Sequence, residues 1–479
     1  MLNSAIALNR FGLGARPRDT LPTDPKSSLL GQFDRFEPRP QALASVPARR
    51  EVVQQLSDYI AEQRMEGRAR RQMQPASMPM NDDQGDGIPG SAKRYLRRGI
   101  RDDYLVMAGA RLSAALTTST PFVERLVHFW ANHFAVSVDK LPVVPMAGLL
   151  EFEAIRPHVL GKFSDMLIAV EQHPAMLIYL DQAQSIGPDS RAGQFIAARR
   201  GQKRGLNENL AREILELHTL GVRTGYSQAD VTEFARSLTG WTVSGLARGP
   251  AARMLGGGAT GDFQFAELIH QPGERQIMGR RYGQDGESQA RAILMELAGH
   301  PSTARHVSTK LARHFAGDDP PPAMVDRLTR TFLNTGGDLP ALYRALIESP
   351  EAWAPQPVKF KTPWEWSVSA LRALDQQQLE PQVAGALMNQ LGQPTWKPGS
   401  PAGFDDIAAS WAAPEALVRR VEVAQRIAER AGSSEDPRAI AEKVLPGALG
   451  EATRSAIARA ESPAEGLALL LVSPEFVRR

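Results

Sequence analysis

The stretch that most constrains the fold of this chain runs GLNENLAREILELHTLG, from Gly205 to Gly221. Leu206, Leu210, Ile214 and Leu217 stand at i, i+4, i+8 and i+11, the single apolar stripe of a helix. Asn207 is placed to cap its start, and Gly221 supplies a left-handed stop. Asn209, Glu213 and Glu216 fall at i, i+4 and i+7 and share one flank of the stripe, with Arg212 beside them. Leu215 and His218 lie on the far side. A helix apolar on two sides with carboxylates between predicts a largely buried element that holds a polar cluster. Glu213 and Glu216 are therefore expected to be buried. At least one of them should meet Arg212, or a basic or His residue of the segment 121–134.

Similar helical signals recur along the chain. Residues 41–71 form a solvated helix ending in Arg68-Ala69-Arg70-Arg71, and 91–118 form another with Tyr104, Met107 and Leu112 among its apolar positions. Pro121 opens a helix with Phe122, Leu126, Phe129, Trp130 and His133 on one face and Arg125, His128 and Asn132 on another. His173-Pro174 breaks the helix that begins near Phe163. Ser227 to Asp230 resembles a capping start for a helix through Leu238. Thr362-Pro363-Trp364-Glu365 combines a cap, Pro at the first helical position and Glu three residues after the cap. Residues 72–90 and 182–204 lack periodicity and are expected to be the most mobile internal segments. Residues 242–285 are the non-helical region, with Phe263–Phe265 and Gln276–Gly279 as short strands. The expected fold is mostly α, a multi-helix bundle-like array with one small β-hairpin excursion at about 255–282. Three parts are expected: 1–90 as a helical segment with a mobile loop, 91–380 as the central helical core, and 381–479 as a helical subdomain.

Composition removes several classes of function. The chain has no Cys, which excludes disulfides, thiolate metal sites and Cys nucleophiles. A formal charge of +3 is small for 479 residues and does not argue for nucleic acid, which would need clustered charge, so no nucleic acid is expected. No window approaches 18 uninterrupted apolar residues, so no membrane span is expected. The first ten residues lack a basic segment followed by a long apolar run, so no signal peptide is expected. Nucleophile-elbow, P-loop and dinucleotide motifs are missing. Gly12-Leu13-Gly14 without a preceding strand marks a turn rather than a phosphate site.

Several unusual strings occur in one order: Asn9-Arg10-Phe11-Gly12-Leu13-Gly14, His128-Phe129-Trp130-Ala131-Asn132-His133-Phe134, Asn207 to Glu213, Glu216 to Gly221, Thr239-Gly240-Trp241, and Lys359 with Thr362-Pro363. Over nearly its whole length the chain resembles the bacterial family known as domain of unknown function 1800. That family usually reads His-Asp where this chain has His270-Gln271. The resemblance brings no activity with it. It implies an exported protein for many members, with gene neighbours that resemble exported sulfatase-like proteins.

The chemistry the residues offer divides into two classes. A catalytic reading uses Glu213, Glu216, His218 and Arg212 on the central helix, since carboxylates three apart can divide acid and base roles or bind a metal. Metal candidates are His128, His133, Glu213, Glu216 and His270. Helical di-metal sites, however, use Glu-x-x-His. Here Thr219 stands three after Glu216, and His128 and His133 are about 140° apart around their helix. The favoured reading is a helical protein-binding or assembly module, possibly at the envelope, whose partner is another protein. A metal-dependent or carboxylate-based hydrolase is its alternative. No cofactor is indicated.

Overall fold

Proline and short polar caps start many of the helices and set their boundaries. Pro occupies the first turn in helices beginning at Pro121, Pro174, Pro301, Pro322, Pro363, Pro381 and Pro463, where its missing N–H leaves no helical bond unmade. In the computed structural model the described residues are 2–73, 92–200, 206–246, 258–431 and 436–479. The elements that position the site are α1 (Ala92–Thr117), α2 (Pro121–His133), α3 (Phe163–Glu171), α4 (Asn209–Glu213), α5 (Gln228–Leu238), α6 (Pro301–Ala316), α7 (Pro363–Ala373), α8 (Pro381–Gln390) and α9 (Pro414–Ala431). The chain is mostly α, with two small antiparallel strand pairs. No described helix is long and apolar enough to cross a membrane.

The largest apolar cluster gathers Phe11, Phe122, Trp130, Phe163, Ile214, Phe315 and Tyr343. A second joins Trp366, Val423, Ile440, Leu470 and Phe476. Helix α7 contributes Trp366 and Ala370 to that second cluster and Trp364 and Val368 to a third, with Leu13, Leu112 and Met388. Every residue from Pro363 to Ala373 is buried, so α7 is enclosed all round. The Asn9–Gly14 string is a strap laid across it. Gly12, Leu13 and Gly14 carbonyls accept from Arg125 Nε (2.7 Å), Ser369 Oγ (3.1 Å) and Arg372 Nε (2.8 Å). Gly14 has φ of 103°, and a Cβ there would stand 3.0 Å from Ser369. The glycine lets the strap pass close to the helix.

The hairpin expected within 255–282 is Arg275–Ile277 paired with Arg280–Tyr282. Met278 and Gly279 both have positive φ (50° and 80°), the two-residue turn whose twist matches antiparallel strands. Met278 N–H donates to Asp230 Oδ1 at 2.6 Å, so the carboxylate that completes the capping box of α5 also holds this turn. Phe263–Phe265 is a strand as expected, but its partner is Trp241–Val243.

The expectation of a mobile insert at 182–204 is corrected. Gln182 is fully buried and donates to Leu238 O at 2.7 Å, and Arg191–Arg200 is a helix that starts at buried Ser190. The anchoring is by polar groups rather than apolar area, which periodicity does not register. Asp189 N–H donates to Gln271 Oε1 and Gln271 Nε2 donates to Asp189 Oδ2, both at 2.9 Å. This pairing uses both the donor and the acceptor of the Gln271 amide, which a carboxylate could not supply. Gln271→Asp would face one carboxylate with another, and is expected to destabilise by about 1–3 kcal/mol. A denaturation midpoint equal to that of the parent would refute this account. Residues 201–204 of that insert, and 74–90 of the other, lie outside the described residues.

Candidate functional site

The central helix differs from its sequence expectation in a way that has a local cause. It is α-helical over Asn209–Glu213 and then widens into a π turn over Ile214–His218. A π turn inserts one residue into the helical register. Leu210 and Ile214 are fully buried, but past the turn the inward position falls on His218, not Leu217. The burial expected of Glu213 and Glu216 is corrected: both are only half-buried. Arg212 does meet Glu216, at 4.0 Å, and Glu208, at 3.3 Å, in partly exposed pairs that contribute about 0–1 kcal/mol. Burial raises the Glu213 pKa. The buried polar contact of this helix is instead that of His218 Nδ1 with Glu171 Oε1 of α3, 2.7 Å apart and both fully buried.

The polar side chains converge elsewhere. A cavity of about 240 Å³ lies between α2, α6, α7 and the loop 393–406, with Arg111 of α1 on its wall. Each polar member of the His128–Phe134 string reaches a different element around it. Trp364 Nε1–H donates to His128 Nδ1 at 3.1 Å, so the ring proton sits on Nε2, 3.5 Å from Glu124. Asn132 pairs through both amide atoms with the backbone of Phe404, at 2.8 Å each way. Trp130 Nε1–H donates to Tyr343 Oη at 2.6 Å. His133 Nε2–H donates to the His218 carbonyl at 3.1 Å, which leaves Nδ1 as a buried acceptor with no partner among the described residues.

Two charged clusters support the walls. Glu365 completes the capping box of α7 and also accepts from Arg125 and from Arg479 Nη2 (2.7 Å). Burial alone would raise its pKa. Arg479 and Arg125 outweigh that and hold it well below the usual carboxylate range. Asp406 pairs with His314 Nδ1 at 2.8 Å and with Lys359 Nζ at 3.1 Å. Burial, with Arg479 nearby, keeps His314 neutral, its pKa pulled down to about 4 against the pull of Asp406. Arg111 stacks over Trp364 (4.2 Å) and Trp396 (5.6 Å) and pairs with Glu151 at 2.8 Å. Glu151 also accepts from Trp396 Nε1 at 3.0 Å, which pins the loop.

Against these satisfied groups, one cation stands apart. His306, Lys310 and His314 occupy i, i+4 and i+8 on α6. Lys310 makes no hydrogen bond or ion pair among the described residues, and burial lowers its pKa to about 8. Its charge helps push His133 and His306 down, after burial itself. Arg313, beside it, donates Nε–H to the Asp318 carbonyl at 3.1 Å and pairs with no carboxylate among the described residues. Of the residues singled out in the sequence, His128 and His133 line the cavity. His218 lies behind His133. Glu213, Glu216 and Arg212 do not line it, and His270 holds the Thr239 carbonyl at 2.7 Å. Among the described residues, no three His, Asp or Glu side chains are placed to hold a metal ion.

Lys310, Arg313, His314 and Asp406 were not singled out in the sequence, and Glu365 was read only as part of a helix cap. Ten of the 56 basic residues are Lys, and in so Arg-rich a chain a Lys one turn from two histidines was the available signal. Unlike Arg, Lys changes its pKa readily when buried.

The architecture defines an α-helical protein with an enclosed, net cationic cavity braced by buried ion pairs. The chain belongs to the family described as protein of unknown function (DUF1800), whose model matches residues 6–478. No curated protein and no solved structure matches it.

Proposed function

We propose that this chain binds a small oxyanion, a carboxylate or a phosphate, in the cavity between α2 and α6. The observation that carries the reading is Lys310: an ammonium with no direct hydrogen bond or ion pair among the described residues, feeling Asp406 only at longer range, on a cavity wall where Arg125 and Arg479 hold Glu365 and Lys359 holds Asp406. An unpaired, partly desolvated charge costs folding energy, and a bound anion would offset it. Arg313 adds a second donor, and the free Nδ1 of His133 offers an acceptor to a ligand hydroxyl. The volume of about 240 Å³ falls below the roughly 300–1,000 Å³ of sites for larger ligands, so the ligand is small. The central helix offers no comparable support for a hydrolase, since Glu213 and Glu216 face away from this cavity's lining and gather no third ligand.

A protein partner is supported by a different observation. Leu417, Val418 and Val421 of α9 are 40%, 57% and 42% exposed on one side of that helix. Both readings make this a binding protein.

Thermal unfolding with phosphate, sulfate, acetate or succinate, against chloride at equal ionic strength, tests the anion site. At least one oxyanion should raise the midpoint with the logarithm of its concentration above Kd, a stabilisation of about 2.7 kcal/mol at a hundredfold excess. The effect should vanish in Arg313→Met. If no oxyanion exceeds chloride, the reading fails.

A further inference from the structure

A second concavity, sharing no lining residue with the first, lies between α8 and α9 beside the end of α7. Its origin is in how the two helices are held. Helix α8 packs on α1, with Ala384 and Met388 buried, while α9 packs on the helix Pro463–Val472. The apolar residues that α8 and α9 turn toward each other pack at their bases on the buried clusters and leave a concavity between the two helices. Val383 and Ala386 are exposed, and Leu379, Leu387 and Ile427 are half-buried along a groove of about 380 Å³. Its floor includes buried Leu371 and Val423. Two cations, Arg426 and Arg430, stand one turn apart on α9 as part of its wall, and both are exposed. Arg426 is bonded to the Gln390 amide oxygen. Arg430 has no partner among the described residues. Among the described residues no Asp or Glu lines the groove.

We propose that this groove binds a single-chain fatty acid, its acyl chain along Leu379, Leu387 and Ile427 and its carboxylate between Arg426 and Arg430. Charge complementarity selects the head group: two arginines a turn apart suit one carboxylate, and no acidic side chain opposes it. Size selects the rest. The volume lies in the range of roughly 300–1,000 Å³ that holds small molecules. A protein helix would need far more contact, about 800 Å² on each partner.

Displacement of a fluorescent fatty-acid analogue, dansyl-undecanoic acid, from the full chain tests this. Saturable binding is expected, with dodecanoate displacing the probe and dodecanol at least about tenfold weaker. Arg426→Glu/Arg430→Glu should weaken binding by on the order of tenfold or more. Ala386→Trp should block it by filling the groove. Both variants alter exposed positions, and their melting curves should match the parent. No saturable binding, equal displacement by dodecanol, or unchanged affinity in both folded variants would overturn the proposal. So would displacement of the probe by an acidic amphipathic peptide but not by dodecanoate.

Discussion

Glu365→Gln is expected to lower the unfolding midpoint by several degrees, although Gln has nearly the same shape. Glu365 is 6% exposed and is shared by two guanidiniums, those of Arg125 and Arg479, which are themselves buried. Removing its charge leaves two buried cations facing each other. Breaking a buried pair from one side typically costs about 3–5 kcal/mol. Gln can still close the capping box, so the loss is that of the charge and not of the cap. Two further measurements separate this from a simple packing fault. Adding Arg479→Leu to the variant should recover part of the stability, because it removes one stranded cation. The pH dependence should change as well. The folded pKa of Glu365 lies below its ordinary value of 4.5, so the stability it confers is present above that value and is lost as the pH falls further. The gap between parent and variant should be widest near neutrality and narrow in acid. A Glu365→Gln midpoint within experimental error of the parent would show that the cluster around Glu365 does not brace the fold.

The same residue shows what a sequence can and cannot disclose. The Thr362–Glu365 capping box was legible, because caps act within four residues of the chain. The second role of Glu365 depends on Arg125 and Arg479, 240 and 114 positions away in sequence, and no local pattern encodes that meeting. Helices, their proline starts and the hairpin near 280 were legible for the same reason that caps were: each depends on near neighbours. The central helix failed at one point. The stripe Leu206, Leu210, Ile214 and Leu217 assumes 3.6 residues per turn, and the π turn from Ile214 breaks that period. His218 was thereby carried inward to Glu171, and Glu216 and Leu217 were left half-buried. The insert after Leu180 failed differently. Polar anchors such as Gln182 and Gln271 hold it, and polarity in a sequence is the ordinary mark of a loop. His128 and His133 line the cavity, while Lys310 on its wall comes from another helix, which no local pattern around the two histidines encodes.

Lys310→Met is expected to stabilise the protein and to abolish its response to oxyanions. Met has a similar length, a comparable helix propensity and no charge to desolvate. Burial pulls the Lys310 pKa from 10.5 to about 8. At pH 7 the ammonium is charged in both the folded and the unfolded chain, and only the folded one bears the desolvation. That difference corresponds to a penalty of at most about 3 kcal/mol. Because the folded pKa is the lower one, the penalty is full below about pH 8 and fades as the pH rises toward 10.5. The advantage of the Met variant should therefore be largest at neutral pH and shrink in that alkaline window. A saturating oxyanion should shrink it too, by stabilising the parent alone. A lysine that merely braced the fold would behave in the opposite way: its loss would lower the midpoint at pH 7, and anions would be indifferent to it. A Lys310→Met protein that melts below the parent at pH 7, or that still gains stability from the oxyanion the parent binds, would remove Lys310 from the site.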